Sequence, residues 1–460
     1  MLFSSLSFLL YFLPPVILIH LFLPKRLQNP FLFFASLFFY AWGDARFVPL
    51  FFGLLIADWG CGVLLEKAEK LGMRKCLLAL GIMANMGALF LWKYMGFIAG
   101  VLRDVLGVSF SLEAWFSPGT LPLGISFFTF QATGYLVDVY RKKTASEKNL
   151  FSFGTFLFMF PQLIAGPIVR YSDLSKALHE KRRQDSAALE AGMALFIGGL
   201  AAKALLANPL GAFAEEMRKL MEADTLCACL YMLCYSLQIY FDFLGYSVMA
   251  VGMGRMLGFS FPRNFNHPYA ASSVTDFWRR WHITLSGWFR DYVYIPLGGN
   301  RRGTGITLLN MLTVWTLTGF WHGASWEFIL WGLWYFVTLT LDKYLLERLK
   351  APGVLRRLFM YFCVGIGWMM FSANGAQNIL PMLGSLVTCR WEGHALFWLR
   401  EMAPLLAVSA LCCVPVIVEG AKKLIRRFTG LRFAVMLALL LLSLAALTKS
   451  SYNPFLYFRF

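Results

Sequence analysis

Long apolar runs, separated by short polar and charged segments, recur along the whole chain. Several runs, such as 431–447, are long enough to approach or cross a bilayer core, which takes about 20 helical residues. The pattern predicts an all-α polytopic membrane protein with eleven or twelve spans. The expected spans are about 3–23, 30–43, 47–65, 76–98, 121–140, 186–207, 226–245, 305–321, 324–341, 358–372, 395–418 and 430–447.

Two segments do not fit a simple crossing. Residues 150–170 have basic segments on both sides and contain Pro161 and Pro167, so we predict a re-entrant segment broken at the prolines. Such backbone is tolerated at membrane depth only against protein or a water-filled cavity. Residues 246–304 are too polar to span and are expected on the cytoplasmic face. No internal repeat or linker interrupts the chain, so we expect a single membrane domain over 1–460.

Within the polar segment, residues 272–303 predict an amphipathic helix that begins with Ser and Thr ahead of Asp276. At about 100° per residue its large apolar side chains share one arc, while Arg279 lies opposite, Arg280 lies toward the edge and His282 lies on the border. This pattern is typical of a helix in the plane of the membrane interface. Two interpretations stay open: the helix anchors the protein to headgroups, or its arginines gather an anionic donor.

Composition and charge limit the possible partners. The chain is 58% hydrophobic and 15% charged, with a net charge of +17. The basic residues form short clusters between spans, which the positive-inside rule places in the cytoplasm. We therefore expect a lipid bilayer and no nucleic acid as partner, with both termini and the tail 448–460 outside. The nine cysteines show no disulfide or zinc-site spacing, and no metal is expected.

Three polar features stand out. His322, in "TGFWHGASWEF", lies between two apolar tracts, about 25 Å along a helix that starts at Gly305. An ionisable group at such depth is by default a functional candidate, although neighbouring helices can also satisfy a neutral histidine. Gln238, Asp242 and Tyr246, at i, i+4 and i+8, form a polar stripe, in which Asp242 either orients a histidine, holds an arginine or is purely structural. The turn "PLGGNRRG" with Asn300 is basic but lacks phosphate-loop spacing.

The stretch "FWRRWHITLSGWFRDYVYIPLGGNRRG", followed by "GFWHGASWEFILWG", resembles the membrane-bound O-acyltransferase (MBOAT) family. It is most similar to the AlgI-like subgroup of polysaccharide and peptidoglycan O-acetyltransferases, which residues 160–171 and 240–269 also resemble. The part most like the family is about 120–345. The resemblance implies a ring of tilted helices around a central tunnel. It also implies that His322 is catalytic and that His282 is a second, supporting catalytic position.

The resemblance further implies transfer of an acyl group, expected to be acetyl, from a cytoplasmic thioester across the bacterial plasma membrane. The acceptor would be a cell-surface polysaccharide such as alginate, peptidoglycan or cellulose. No tightly bound cofactor is expected, because acetyl-CoA or an acyl carrier protein supplies the thioester. An extracytoplasmic SGNH-like acetyltransferase or the polysaccharide itself would receive the group. The residues expected to bind substrate or donor are Arg279, Arg280, Trp281, Asp242, Gln238 and Asn300.

The last residues, "SYNPFLYFRF", contain the pattern Phe455-x-Tyr457-x-x-Phe460. It resembles the C-terminal motif of the small subunit that partners DltB-type acyltransferases, which implies that Tyr457 relays the acyl group. An aromatic belt that anchors the terminus at the interface is the alternative. Three other functions stay open for the whole chain: D-alanyl transfer to teichoic acid as in the DltB branch, solute transport, or a scaffold for a secretion complex.

Overall fold

A computed structural model describes residues 2–107, 121–163, 166–182 and 184–449. These residues contain helices and no β-strand. The first ten α-helices are α1 (Leu13–Phe22), α2 (Lys25–Asp44), α3 (Val48–Lys67), α4 (Leu71–Leu89), α5 (Met95–Leu106), α6 (Ile125–Tyr140), α7 (Leu150–Phe158), α8 (Phe160–Leu163), α9 (Tyr171–His179) and α10 (Ser186–Ala201). They are followed by α11 (Asn208–Leu220), α12 (Thr225–Met256), α13 (Val274–Arg280), α14 (Ile283–Phe289), α15 (Thr304–His322), α16 (Trp326–Leu341), α17 (Gly353–Phe371), α18 (Ile379–Gly384), α19 (His394–Cys413), α20 (Pro415–Arg427) and α21 (Thr429–Lys449).

Each of the predicted spans overlaps a helix, which confirms an all-helical polytopic membrane protein. The span predicted over 395–418 ends earlier, because the chain breaks at Val414 between α19 and α20. In the described part of the chain, seven helical segments are long and apolar enough to cross a membrane. They are Lys25–Lys67, Leu71–Leu106, Ser186–Leu220, Thr225–Met256, Gly353–Phe371, Ala395–Cys413 and Thr429–Lys449. The first of them holds two predicted spans, α2 and α3, separated by a turn of 3-10 helix. The other predicted spans are the shorter or more polar helices α1, α6, α15 and α16.

Contacts divide the chain into two compact units. The first unit comprises Met1–Phe196 and Met249–Pro262, and the second comprises Ile197–Val248 and Arg263–Phe460. In the first unit, α2 packs on α7, and α4 packs against α3 and α6. Phenylalanine rings fill its core, with Phe39 lying 5.7 Å from both Phe8 and Phe160 between ring centroids.

The segment predicted to be re-entrant lies in the first unit and is broken at Met159 and again at the non-helical residues 166–170, which include Pro167. Helix α7 has nine residues, about 14 Å of helix, which is too short to cross a bilayer core. The chain turns at Met159 (φ −46°, ψ 113°), and Pro161 follows inside α8. Pro161 occupies the second position of α8, where a missing N–H costs no intrahelical hydrogen bond. The break predicted at Pro161 is therefore corrected to Met159, whereas Pro167 lies in a non-helical stretch, as predicted.

The second unit contains the candidate site. The prediction of one continuous amphipathic helix over 272–303 is wrong. The chain instead forms α13, an extended residue at Trp281, a left-handed residue at His282 and then α14. The start is as predicted, because the Ser273 side chain accepts a hydrogen bond from the Asp276 amide at 3.2 Å. Phe277 and Trp281 are buried in the unit's core instead of lying in the lipid interface, because α13 packs on α17.

Candidate active site

His322 is the last residue of helix α15, at the tip of a hairpin formed with α16. The two helices touch where glycine faces glycine. A side chain on Gly319 would collide with the carbonyl oxygen of Phe328, and one on Gly332 would collide with that of Trp315. This close approach leaves the α15 backbone little freedom, so the hairpin fixes the position from which the imidazole projects.

Aromatic rings surround the His322 imidazole. Its centroid lies 5.0 Å from that of Trp331, 5.3 Å from that of Phe371 and 5.0 Å from that of Trp321. All three rings stand nearly perpendicular to it, at 77° to 81°. The side chain of His322 is buried, with 7% of its surface exposed. The aromatic rings therefore form the immediate surroundings of the imidazole.

His282 occupies the break between α13 and α14. Its backbone is left-handed (φ 45°, ψ 53°), a conformation that is uncommon for a residue with a Cβ. The side chain is 1% exposed and packs edge-on against Phe243, with 4.7 Å between ring centroids. Burial lowers the pKa of His282 to about 3, so the ring is neutral at physiological pH.

Asn264 holds this break in place. Its side-chain oxygen accepts hydrogen bonds from the Thr284 hydroxyl at 2.9 Å and the Thr284 amide at 3.3 Å. The same oxygen lies 3.0 Å from Nδ1 of His282. Because that oxygen is an acceptor, Nδ1 must carry the proton of the neutral ring, which leaves the lone pair on Nε2. The Asn264 carbonyl also accepts from the Ile283 amide at 2.9 Å.

Trp321 brings the two histidines into one aromatic cluster. Its ring centroid lies 6.1 Å from that of His282 and 5.0 Å from that of His322. The structure thus places the two predicted catalytic histidines beside a shared indole, although they are 40 residues apart in the sequence (322 − 282). The site is aromatic, and both of its imidazoles are buried.

The predicted donor-binding arginines differ in their surroundings. Arg279 is exposed, whereas Arg280 is half-buried and donates to Asp276 at 2.9 Å. Burial opposes the charge on Asp276, but its contacts with Arg280 and Ser272 outweigh that effect and lower the carboxyl pKa. Trp281 is buried, and its ring is tilted by 46° against that of Trp368, with 4.8 Å between centroids. Of these residues, Arg279 is the one that presents an exposed charge.

Asp242 forms an ion pair that the sequence analysis missed. Its carboxylate lies 2.8 Å from the ammonium of Lys203, and both side chains are almost completely buried. Gln238, one turn earlier on α12, is also buried. The detectable signal was Lys203 itself, a single cation in the apolar run "GGLAAKALLANP". Asp242 therefore pairs with a lysine, which is neither the histidine nor the arginine named as its possible partner and agrees with the third, purely structural alternative.

Asn300 lies in the exposed turn before α15 and accepts a hydrogen bond from the Tyr294 hydroxyl. The turn is tied to α15, because the Asn310 side chain donates to the carbonyl of Gly299 at 3.0 Å. Gly299 itself is left-handed (φ 57°). Asn300 is therefore linked to the helix that ends in His322, but it lies outside the aromatic cluster. The predicted relay residue Tyr457 lies outside the described residues.

Comparison with known proteins identifies the family. The model of the membrane-bound O-acyltransferase family matches residues 138–382, and the chain belongs to that family. It is similar to the probable alginate O-acetylase AlgI of Pseudomonas aeruginosa, 39% identical over 82% of this chain and 73% of that protein. It is 32% identical to the peptidoglycan O-acetyltransferase of Helicobacter pylori over 84% of this chain and 80% of that protein. The teichoic acid D-alanyltransferase of Bacillus subtilis is 30% identical, over 47% of this chain and 58% of that protein. The chain is thus an acyltransferase of the AlgI-like subgroup.

Proposed function

We propose that this protein moves an acetyl group from a cytoplasmic thioester across the bacterial plasma membrane for O-acetylation of a cell-surface polysaccharide. The observation that carries the proposal is the cluster of His322, Trp321 and His282 within the part of the chain that matches the family. The names of the alginate and peptidoglycan O-acetyltransferases that it resembles support acetyl as the group and a polysaccharide as the acceptor.

In the proposed reaction His322 acts as general base. An acceptor hydroxyl attacks the thioester carbonyl while the imidazole takes the hydroxyl proton, so a C–O bond forms as the C–S bond breaks. The thiolate leaves and accepts the proton from the imidazolium, which restores the neutral ring. The aromatic enclosure of His322 limits the access of water and thereby protects the thioester from hydrolysis.

His282 is proposed to support this step. Asn264 fixes the orientation and tautomer of the ring, so that Nε2 is the nitrogen able to accept a hydrogen bond. A neutral imidazole held in this way can orient a donor group or a bound hydroxyl without adding charge to the apolar site. Its low pKa means that it keeps this role throughout the physiological range of pH.

The donor is proposed to arrive from the cytoplasm as acetyl-CoA or an acyl carrier protein. Both present a phosphopantetheine thioester and carry negative charge, which the exposed guanidinium of Arg279 can attract. Arg280, Trp281, Gln238 and Asn300 remain proposed donor-side positions. For Asp242 we favour the structural alternative, because Lys203 engages its carboxylate.

On the outer side, we propose that Tyr457 carries the acetyl group between the site and an SGNH-like acetyltransferase or the polysaccharide. A phenol has a pKa of about 10, far below that of an aliphatic alcohol, so its ester remains activated for a second transfer. Substitution of Tyr457 by Phe would then stop acetyl export while leaving the protein level unchanged.

D-Alanyl transfer is the second candidate in the same family. The similarity to the teichoic acid enzyme covers 47% of this chain, whereas the similarity to the peptidoglycan enzyme covers 84%. The greater coverage favours acetyl. No feature of the described residues specifically favours transport or a scaffold role over acyl transfer.

The experiment is a histidine substitution in cells that carry the natural polymer. His322→Ala, present in membranes at the normal level, should remove O-acetyl esters from the surface polysaccharide. The control is His179→Gln, which changes a partly exposed histidine of the first unit. Unchanged acetylation in the His322→Ala cells would rule out the proposed base. Loss of D-alanyl esters in the His322→Ala cells, with acetyl esters unchanged, would establish D-alanyl transfer as the function.

A further inference from the structure

The second unit contains a groove with a volume of about 820 Å³, outside the aromatic cluster of the site. Ligand pockets commonly measure about 300–1,000 Å³. Its walls come from α12, α17 and α19 and are mostly apolar, with Leu237, Val364 and Leu406 among the lining residues. One charged side chain, that of Arg357, lines the groove.

Arg357 differs from its neighbour in its contacts. The adjacent Arg356 donates to the buried carboxylate of Asp342 at 3.0 Å. Arg357 is exposed and forms no hydrogen bond or ion pair with any residue that the structure describes. A cation beside an apolar groove is suited to an amphiphile with an anionic head and an apolar body.

Helix α20 begins at the same groove, since Pro415 is among the lining residues. It is amphipathic, and none of its residues is buried by described parts of the protein. Ile417 and Leu424 on its apolar arc are 44% and 55% exposed. The polar arc carries four cations against the single carboxylate of Glu419: Lys422, Lys423, Arg426 and Arg427. Such a basic amphipathic helix is typical of contact with anionic lipid headgroups.

The dimensions of the groove match one leaflet of a bilayer. Along α17 the lining runs from Arg357 to Gly365, eight residues (365 − 357) or about 12 Å of helix. Half of a hydrocarbon core of about 30 Å is about 15 Å. The basic end of the groove and the apolar wall below it therefore fit a headgroup and an acyl chain, respectively.

We propose that this groove binds an anionic phospholipid. The phosphate lies at Arg357 beside the start of α20, and one acyl chain lies along the apolar wall. The cations of α20 add attraction for the headgroup and hold the helix at the membrane surface. The site is independent of the acyl transfer proposed above, because none of the groups assigned to that reaction lines the groove.

The test measures which lipid stays with the protein. The full chain is reconstituted in nanodiscs of phosphatidylcholine and phosphatidylglycerol in equal amounts, and native mass spectrometry counts the lipids retained after release. The unaltered protein should retain phosphatidylglycerol preferentially. Arg357→Gln should lower that retention about fivefold, the loss expected for one cation at an anionic surface. Ala410→Phe should lower retention of both lipids, because Ala410 lines the groove and a phenyl ring would fill it.

Two matched controls make the result decisive. Arg348→Gln removes an exposed cation, and Ala403→Phe adds a ring to an exposed face of α19, and neither residue lines the groove. Both variants should retain phosphatidylglycerol as the unaltered protein does. Equal retention by Arg357→Gln and the unaltered protein would overturn the proposal. So would an equal loss in Arg348→Gln, since that would show general surface charge and no defined site.

Discussion

At the scale of single residues, the conformation of His282 is costly and must be held by its surroundings. A left-handed backbone costs a residue with a Cβ about 1–2 kcal/mol. Asn264 compensates with hydrogen bonds to the His282 ring and to the backbone and hydroxyl of Thr284. The strain and the catalytic candidate therefore coincide at one position, as is common at functional sites.

We expect Asn264→Ala to reduce acetyl transfer strongly, by roughly 10- to 100-fold, as for residues that orient a ligating or catalytic histidine. The Ala side chain cannot accept from Nδ1, so the ring loses its orientation and tautomer. Acetyl ester content, measured at matched membrane level, checks this prediction. Asn264→Asp, which keeps an oxygen acceptor, is the control and should retain more activity. Full activity of the Ala variant would show that the hydrogen bond between Asn264 and the His282 ring is dispensable.

The low pKa of His282 predicts a dependence of stability on pH. The folded ring titrates at about 3 and the unfolded ring at 6.5, so the folded state cannot take up the proton that the unfolded state gains. The contribution of His282 to the free energy of unfolding is fully present above pH 6.5 and decreases as the pH falls toward 3. At a pH of about 5 the loss is about 2 kcal/mol.

Thermal unfolding in detergent at neutral and mildly acidic pH measures this effect. His282→Gln has no imidazole at this position, so its loss of stability on acidification should be smaller than that of the unaltered protein. The difference between the two proteins isolates His282 from other histidines. An identical loss in both would contradict a buried, neutral His282.

The sequence indicated the two histidines as candidates, but it did not indicate the residue that orients one of them. His322 stood out as one imidazole between apolar tracts, and His282 stood on the border of an amphipathic pattern. Asn264 is 18 residues from His282, and their contact depends on a helix break that periodicity cannot reveal. Most of the buried residues of α13 and α14 belong to the predicted apolar arc. The sequence pattern is therefore nearly the same for one continuous helix and for two helices separated by a break.

At the scale of helices, the α15–α16 hairpin determines where His322 lies. We expect Gly332→Ala to destabilise the protein by about 1–3 kcal/mol and to lower acetyl transfer, because its methyl group would meet the Trp315 carbonyl. Unfolding temperature and ester content are the measurements. Gly305→Ala on α15 is the control, since open space surrounds that position. Equal behaviour of the two variants would show that the glycine contact does not control the hairpin.

The ion pair of Lys203 and Asp242 joins α12 to the π-helical turn that precedes α11. Removing one partner leaves a buried charge uncompensated, at a cost of about 3–5 kcal/mol, whereas an apolar pair is often neutral. We therefore expect Lys203→Met and Asp242→Leu to reduce the folded fraction individually. The double variant should recover it, as measured by size-exclusion chromatography in detergent. A double variant that folds without transferring acetyl groups would instead support the donor-side role of Asp242.

At the scale of the whole molecule, hydropathy predicted the helices better than it predicted which of them cross the membrane. Every predicted span overlaps a helix, yet seven described segments are long and apolar enough to span. Helix α15 is not among them because threonines, Asn310 and His322 interrupt its apolar residues. Helix α16 is not among them because it has 16 residues and is followed by Asp342 and Lys343. Polar residues and short length therefore weaken the signal of a predicted span in the sequence.

The number of crossings decides the sidedness of the chain and with it the direction of transfer. The twelve predicted crossings, an even number, would put both termini on the same side, and the positive-inside rule predicts that this side is outside. An odd number of crossings would put the termini on opposite sides. We expect an epitope after Phe460 to be labelled on intact cells and one inserted after the exposed Lys142 to be labelled only after permeabilisation. An epitope ahead of Met1 provides the parity control and should match the one after Phe460. If the two ends label on opposite sides, the even count is wrong; if Lys142 labels on intact cells, the thioester donor cannot approach from the side proposed here.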